Sequence, residues 1–153
     1  TRTELLEDRM IMNYLLNQDD SVIYYANRCI EENEKQNQKE WESVAAAYAS
    51  LGNTKKAIQI LEENAQNDDE DLLMAYVRRR TEVTLYALAK EYQKGTELLI
   101  QMNKDYPELG DYGFFNQKWY DRIKKEHPPF KEALDNLILP PPIITGIKLN
   151  PNL

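Results

Sequence analysis

Apolar residues recur three and four positions apart along most of the chain, which is the period of a helix face. No stretch alternates long enough to form a sheet. Leu5, Leu6, Met10, Ile11, Tyr14 and Leu15 predict a helix over residues 3–17. Asp19-Asp20-Ser21 breaks the pattern and supplies an N-cap. A second helix over 22–34 turns Val22, Ile23, Ala26, Cys29 and Ile30 inward, and 33–38 is a polar connection. A third helix covers 39–51. Gly52-Asn53-Thr54 is a turn with Thr54 as N-cap, and a fourth helix over 55–66 carries Ala57, Ile58, Ile60 and Leu61. Asn67-Asp68-Asp69 reads as the next turn and cap.

Residues 70–94 form one long helix or two broken near Thr81, where Arg78-Arg79-Arg80 interrupts the apolar pattern. Gly95-Thr96 marks a break and cap, and a helix over 96–106 is stopped by Pro107. A loop follows over Leu109-Gly110-Asp111-Tyr112-Gly113. A helix over 114–126 then ends at Pro128-Pro129, which starts a last one over 130–139. Pro140-Pro141-Pro142 stops all helix, and 143–153 is extended or polyproline-like. The expected fold is therefore all-α, with about seven or eight helices in antiparallel pairs. They form a right-handed solenoid over 1–139, closed by a C-terminal helical cap and followed by an extended tail over 140–153.

One segment has a sharper pattern, Trp41-x2-Val44-Ala45-x2-Tyr48, then Gly52, then Ala57-x3-Leu61. Trp41 and Tyr48 are large knobs, Ala45 and Ala57 permit close helix approach, and Gly52 suits a left-handed helix end. Residues 38–71 thus resemble a tetratricopeptide repeat. Asn64 and Asp69 depart from the family pattern, which prefers a small residue and Pro there. Tyr14 with Val22-Ile23 echoes Tyr48 with Ala57-Ile58, so the first pair reads as a degenerate repeat. Ala89-x2-Tyr92 echoes the signature more faintly, with the Gly and Ala that should follow misplaced.

The resemblance implies a binding module with a helix-lined groove. Its inner face would present Lys39, Glu42, Ser43, Ala46, Ala49 and Ser50. The family's carboxylate clamp uses Lys, Arg and Asn at such positions, whereas this row is mostly Ala and Ser. That favours a shallow groove, or one filled by a later helix. A looser resemblance lies in Trp119-Tyr120-Asp121-Arg122-Ile123, His127-Pro128-Pro129-Phe130, Leu134 and residues 137–140. It is similar to the ending of bacterial repeat regions that follow adenylate cyclases, protein kinases or winged-helix regulators. Ile123, Lys124, Pro129 and Ile138 depart from that ending. It implies a regulatory region of a signalling or transcription protein whose output domain lies elsewhere. The start at Thr1 rather than Met fits such a piece.

Composition narrows the classes. With 153 residues, 42% hydrophobic and 29% charged, the chain reads as one ordered, soluble domain. A net charge of −7 argues against nonspecific nucleic-acid binding. Residues 1–71 hold 7 Lys+Arg against 16 Asp+Glu, while 72–153 hold 12 against 10, so the molecule is polar along its length. Cys29 is alone in an apolar run, which suits a reducing, cytoplasmic setting. No apolar stretch is long enough to span a membrane.

Candidate chemistry is sparse. His127 is the only histidine, no Cys/His pair has metal spacing, and no Gly-rich phosphate loop occurs. Asp68-Asp69-Glu70-Asp71 lacks calcium-loop spacing and suits a helix N-terminus. The expectation is a non-enzyme without cofactor or metal. Of the three arginines at most two share a face, so Arg78 and Arg79 are the candidate anion or partner contacts. The aromatic group Tyr112, Phe114, Phe115, Trp119 and Tyr120 is a packed cap or an exposed partner site. The leading function is a protein-interaction or scaffold module for an unidentified protein or peptide. The alternatives are a regulatory region of a larger protein and a self-associating module that forms homodimers.

Overall fold

Left-handed backbone at three points organises the chain. The computed structural model describes residues 1–37, 39–64, 71–107, 112–115 and 117–136. Within them α1 (Arg2–Leu15) is followed by α2 (Asp19–Lys35), α3 (Trp41–Ser50) by α4 (Thr54–Asn64), and α5 (Leu72–Leu88) by α6 (Tyr92–Asp105). The described residues contain no strand. The first helix of each pair ends at a residue with positive φ: Asn17 at 57°, Gly52 at 81° and Lys90 at 59°. All three turns share one hydrogen-bond pattern. The N–H of Gln18, Asn53 and Glu91 reaches back to the carbonyl of Asn13, Tyr48 and Tyr86. The N–H of the left-handed residue itself donates to Tyr14, Ala49 and Ala87. This is the Schellman arrangement, which satisfies carbonyls that a helix end leaves open.

Core positions repeat with the turns. Met10, Ala45 and Val83 stand at one offset before the turn residue, and all are buried. Val22, Ala57 and Gly95 stand at one offset after it, and so do Ala26, Leu61 and Leu99; all six are buried. Three successive helix pairs therefore use the same faces for packing. Small residues recur where the two helices of a pair approach. A Cβ on Gly95 would lie 3.4 Å from the Tyr86 Cβ.

Several boundaries differ from the sequence reading. Gly95-Thr96 lies inside α6, and the break falls earlier, at Lys90, where lysine hides a position that glycine would have advertised. The chain runs unbroken through Thr81, and Thr81 and Thr84 turn their hydroxyls onto the Val77 and Arg80 carbonyls of their own helix. Asp19 and Asp20 form the first turn of α2 and do not cap it. Asn53 rather than Thr54 caps α4, accepting from the Lys56 N–H. Ile23, expected inward, is 47% exposed.

The expected 114–126 helix is three pieces: α7 (Tyr112–Phe115), a 3₁₀ turn at Lys118–Tyr120, and α8 (Asp121–Glu126). α9 (Pro128–Asp135) opens with its two prolines at the first positions, where a missing N–H costs nothing. The expected turn at Asn67-Asp68-Asp69, the loop at Leu109-Gly110-Asp111, and the tail over 140–153 lie outside the described residues. So do the side chains of Tyr112 and Trp119.

Two apolar clusters make up the core. One joins α1 to α4 with Leu85 and Leu88 of α5. The other joins Tyr76, Val83 and Ala87 of α5 to α6 and the C-terminal segments. α5 is the shared wall. Phe115, Tyr120 and Phe130 are buried at its far side, with the Tyr120 and Phe130 rings stacked at 6.0 Å. Burial of each such side chain is worth about 1.5–3 kcal/mol.

Candidate functional site

The first helices of the three pairs, α1, α3 and α5, lie side by side, with α3 packed against both of the others, and share one face. One half of that face is occupied by the chain itself. Tyr14 is buried, which pushes its phenol pKa up to about 12, and its hydroxyl donates to the Ala87 carbonyl at 3.1 Å. Arg122 of α8 lies over the Tyr14 ring at 4.5 Å and donates to the Tyr14 carbonyl at 2.8 Å. The same guanidinium reaches Asp19 at 3.0 Å and Glu126 at 2.9 Å. Beside it, the buried Tyr120 hydroxyl meets the Thr84 hydroxyl at 2.8 Å. The C-terminal segments thus pack against the end of α1 and against α5.

The other half is open. It is a cleft of about 490 Å³ running from α1 across α3 to α5. Ala45, Ala46, Leu85 and Leu88 make its floor, and Trp41 and Phe114 stand at its edges. Glu7, Glu42 and Arg80 occupy one offset before the three turns, and Ile11, Ala46 and Thr84 another; all six line the cleft. The repeat therefore places equivalent residues in one row.

The cleft has two electrical ends. Arg80 lies over the Phe114 ring at 3.9 Å. At the α1–α3 end, the Glu7 carboxylate accepts from the Ser43 hydroxyl. Burial raises the Glu7 pKa, and the charges of Asp8, Glu42 and Glu4 add to that, while the Ser43 bond opposes it. Among the described residues neither Glu7 nor Glu42 forms an ion pair. Two carboxylates thus stand at the α1–α3 end of the cleft and Arg80 at its α5 end.

The sequence-derived row maps onto this site unevenly. Glu42 and Ala46 line the cleft. Ser43 sits behind it, 3% exposed and bonded to Glu7. Ala49 is fully buried, because α3 is packed on both flanks. Ser50 borders a separate hollow with Asp19 and Lys90, and Lys39 is exposed outside the cleft. Trp41 and Ala45, outside that row, line the cleft as well. Val44, Ala57 and Leu61 are buried and Tyr48 is half-buried.

Of the three arginines, Arg80 enters the cleft and Arg79 pairs with Glu82 at 3.7 Å on its own helix. Arg78 also acts on Glu82 and lies outside the cleft. Glu7 and Thr84 have no signature of their own, Ile11 reads only as part of a helix face, and Phe114 and Arg122 stand in C-terminal motifs that do not point to this site. The signal that finds Glu7, Ile11, Arg80 and Thr84 is their offset from Asn17 and Lys90.

Reactive groups lie elsewhere. Burial pushes the Cys29 thiol up to about 12, with Glu7 adding to the shift, and the sulfur faces the Thr3 and Ser43 carbonyls. Such a buried thiol packs as a small apolar group. His127 joins α8 to α9 against the Tyr92 ring. Among the described residues no group of three or more His, Cys, Asp or Glu could hold a metal ion, and no helix is long and apolar enough to cross a membrane. Comparison with known proteins adds no relative: no family model matches the chain, and no curated protein and no solved structure matches it.

Proposed function

We propose that this protein is a non-catalytic, tetratricopeptide-like interaction module that holds a segment of a partner protein in the α1–α3–α5 cleft. The observation that carries the reading is the row of equivalent residues at the cleft wall, Glu7, Glu42 and Arg80, above a floor of Ala45 and Ala46. Small floor residues admit a peptide backbone. Glu7 and Glu42 favour a Lys or Arg on that segment. Trp41 offers an aromatic edge for apolar or cationic contact.

Peptide arrays of short segments with and without a basic residue test this, followed by titration with Trp41 fluorescence as readout. Basic segments should bind, and Thr81→Trp, which fills the cleft, should abolish binding without lowering the melting temperature. Binding that persists in Thr81→Trp would reject the cleft as the site. The second reading is a regulatory region of a larger signalling or transcription protein. It is favoured by Phe130 and Leu134, which belong to the C-terminal resemblance and share one packed cluster.

A further inference from the structure

The first helix pair differs from the next two because one of its sides is uncovered. α1 and α2 both pack on α3. On the opposite side Arg2, Leu5, Arg9, Met12 and Leu16 follow one another at alternating three- and four-residue steps, which aligns them as a single stripe. Leu5, Met12 and Leu16 are each at least 60% exposed, and Tyr24 of α2 is 58% exposed. A groove of about 330 Å³ between the two helices is lined by Leu5, Tyr24, Tyr25, Arg2, Arg9 and Arg28. An apolar stripe in that place is a docking feature.

Charge specifies the occupant. Residues 1–71 are strongly acidic, yet three arginines rim this groove. Arg2 and Arg28 share one buried carboxylate, Glu32, at 3.7 and 3.3 Å. Arg9 has no ion pair among the described residues, and its guanidinium lies 5.9 Å from the Tyr25 ring centre. The rim therefore keeps surplus positive charge. Two-fold pairing with a second copy would set these arginines against each other. We propose that this side seats an amphipathic helix of another protein, with an aliphatic seam flanked by Asp or Glu. The seam packs on Leu5, Met12, Leu16 and Tyr24, and the carboxylates pair with Arg9, Arg2 and Arg28. This surface is distinct from the cleft, which takes Glu7 and Ile11 from the other side of α1.

Two fluorescent helical peptides of about three heptads, each with Leu at the seam, provide the test. One carries Glu at the flanks and the other Lys. Polarisation with the full chain should favour the Glu peptide by about tenfold or more at low salt, and the preference should shrink as salt screens it. Leu5→Asp should abolish binding and Arg9→Glu should reverse the preference. Both positions are exposed, so the thermal melt should not change. Thr81→Trp should bind like wild type, which separates this surface from the cleft. Equal binding of both peptides, no binding of either, or Glu-peptide binding that survives Leu5→Asp would overturn the proposal. A concentration-dependent dimer removed by Leu5→Asp would overturn it too, assigning the surface to a second copy.

Discussion

Gly52, Asn17 and Lys90 perform one task with three side chains. A left-handed backbone costs an ordinary L-residue about 1–2 kcal/mol and glycine almost nothing. A Cβ on Gly52 would meet nothing within 4 Å, so any penalty there is conformational rather than steric. Gly52→Val should therefore lower stability by about 2 kcal/mol or more, while Gly52→Asn should cost much less. The converse holds at Lys90. Its ion pair with Asp19 is exposed and worth little, so Lys90→Gly should raise stability by up to about 1 kcal/mol. Urea unfolding of the three variants checks both directions.

Glu7 makes a prediction of its own. Its pKa is raised on folding, so the native state holds that proton more tightly than the unfolded chain. Stability from this group is then greatest in acid and falls as pH rises from the ordinary glutamate value of 4.5 through the raised one. Glu7→Gln should be more stable than wild type at pH 7, and the difference should vanish at low pH. A difference that instead grew in acid would mean that Glu7 is paired in the native state.

At the scale of elements, α5 and α6 show how a small residue acts in two ways. Gly95 looks like a helix break in the sequence, yet it occupies the close contact of the pair, aligned with Val22 and Ala57. Its Cβ distance of 3.4 Å to Tyr86 is ordinary van der Waals contact. Gly95→Ala should fit there and gain up to about 1 kcal/mol of helix propensity, while Gly95→Leu should force the helices apart and destabilise. Circular dichroism melts decide the matter, since at a true turn with positive φ the alanine variant would lose stability instead. The pairs themselves follow from helical periodicity and caps. Their boundaries follow from backbone φ at single residues, which periodicity does not encode.

For the whole molecule, the decisive contact is Arg122. It binds the last third of the chain to the first helix pair through the Tyr14 carbonyl, the Tyr14 ring and Asp19. Arg122 is only 7% exposed. Arg122→Ala should cost about 2–3 kcal/mol, because a buried carbonyl and an aromatic face lose their cation together. It should also open the filled half of the α1–α3–α5 face to proteolysis near residues 118–126. Asp19 has its pKa lowered, first by Arg122 and then by Lys90, so its contribution holds above the ordinary Asp value and is lost in acid. That is opposite in sign to Glu7, and the two groups should be separable by a pH series on the single variants.

The helical class, the pairing of neighbouring helices and the buried positions Met10, Tyr14, Val44, Ala57 and Leu61 were legible in the chain, because helix faces and small-residue contacts are local in sequence. The signature around Trp41 lies on α3, which lends four residues to the cleft lining. Tertiary structure alone decided which side of that helix stays open. Ala49 and Ser43 are covered because α3 is flanked on both sides, whereas Glu7, Arg80 and Phe114 meet Trp41 across the cleft from distant parts of the chain. The filling of one half by Tyr120 and Arg122 is likewise a long-range event. Such contacts depend on how three hairpins and a C-terminal segment stack, and no short window of residues carries that information.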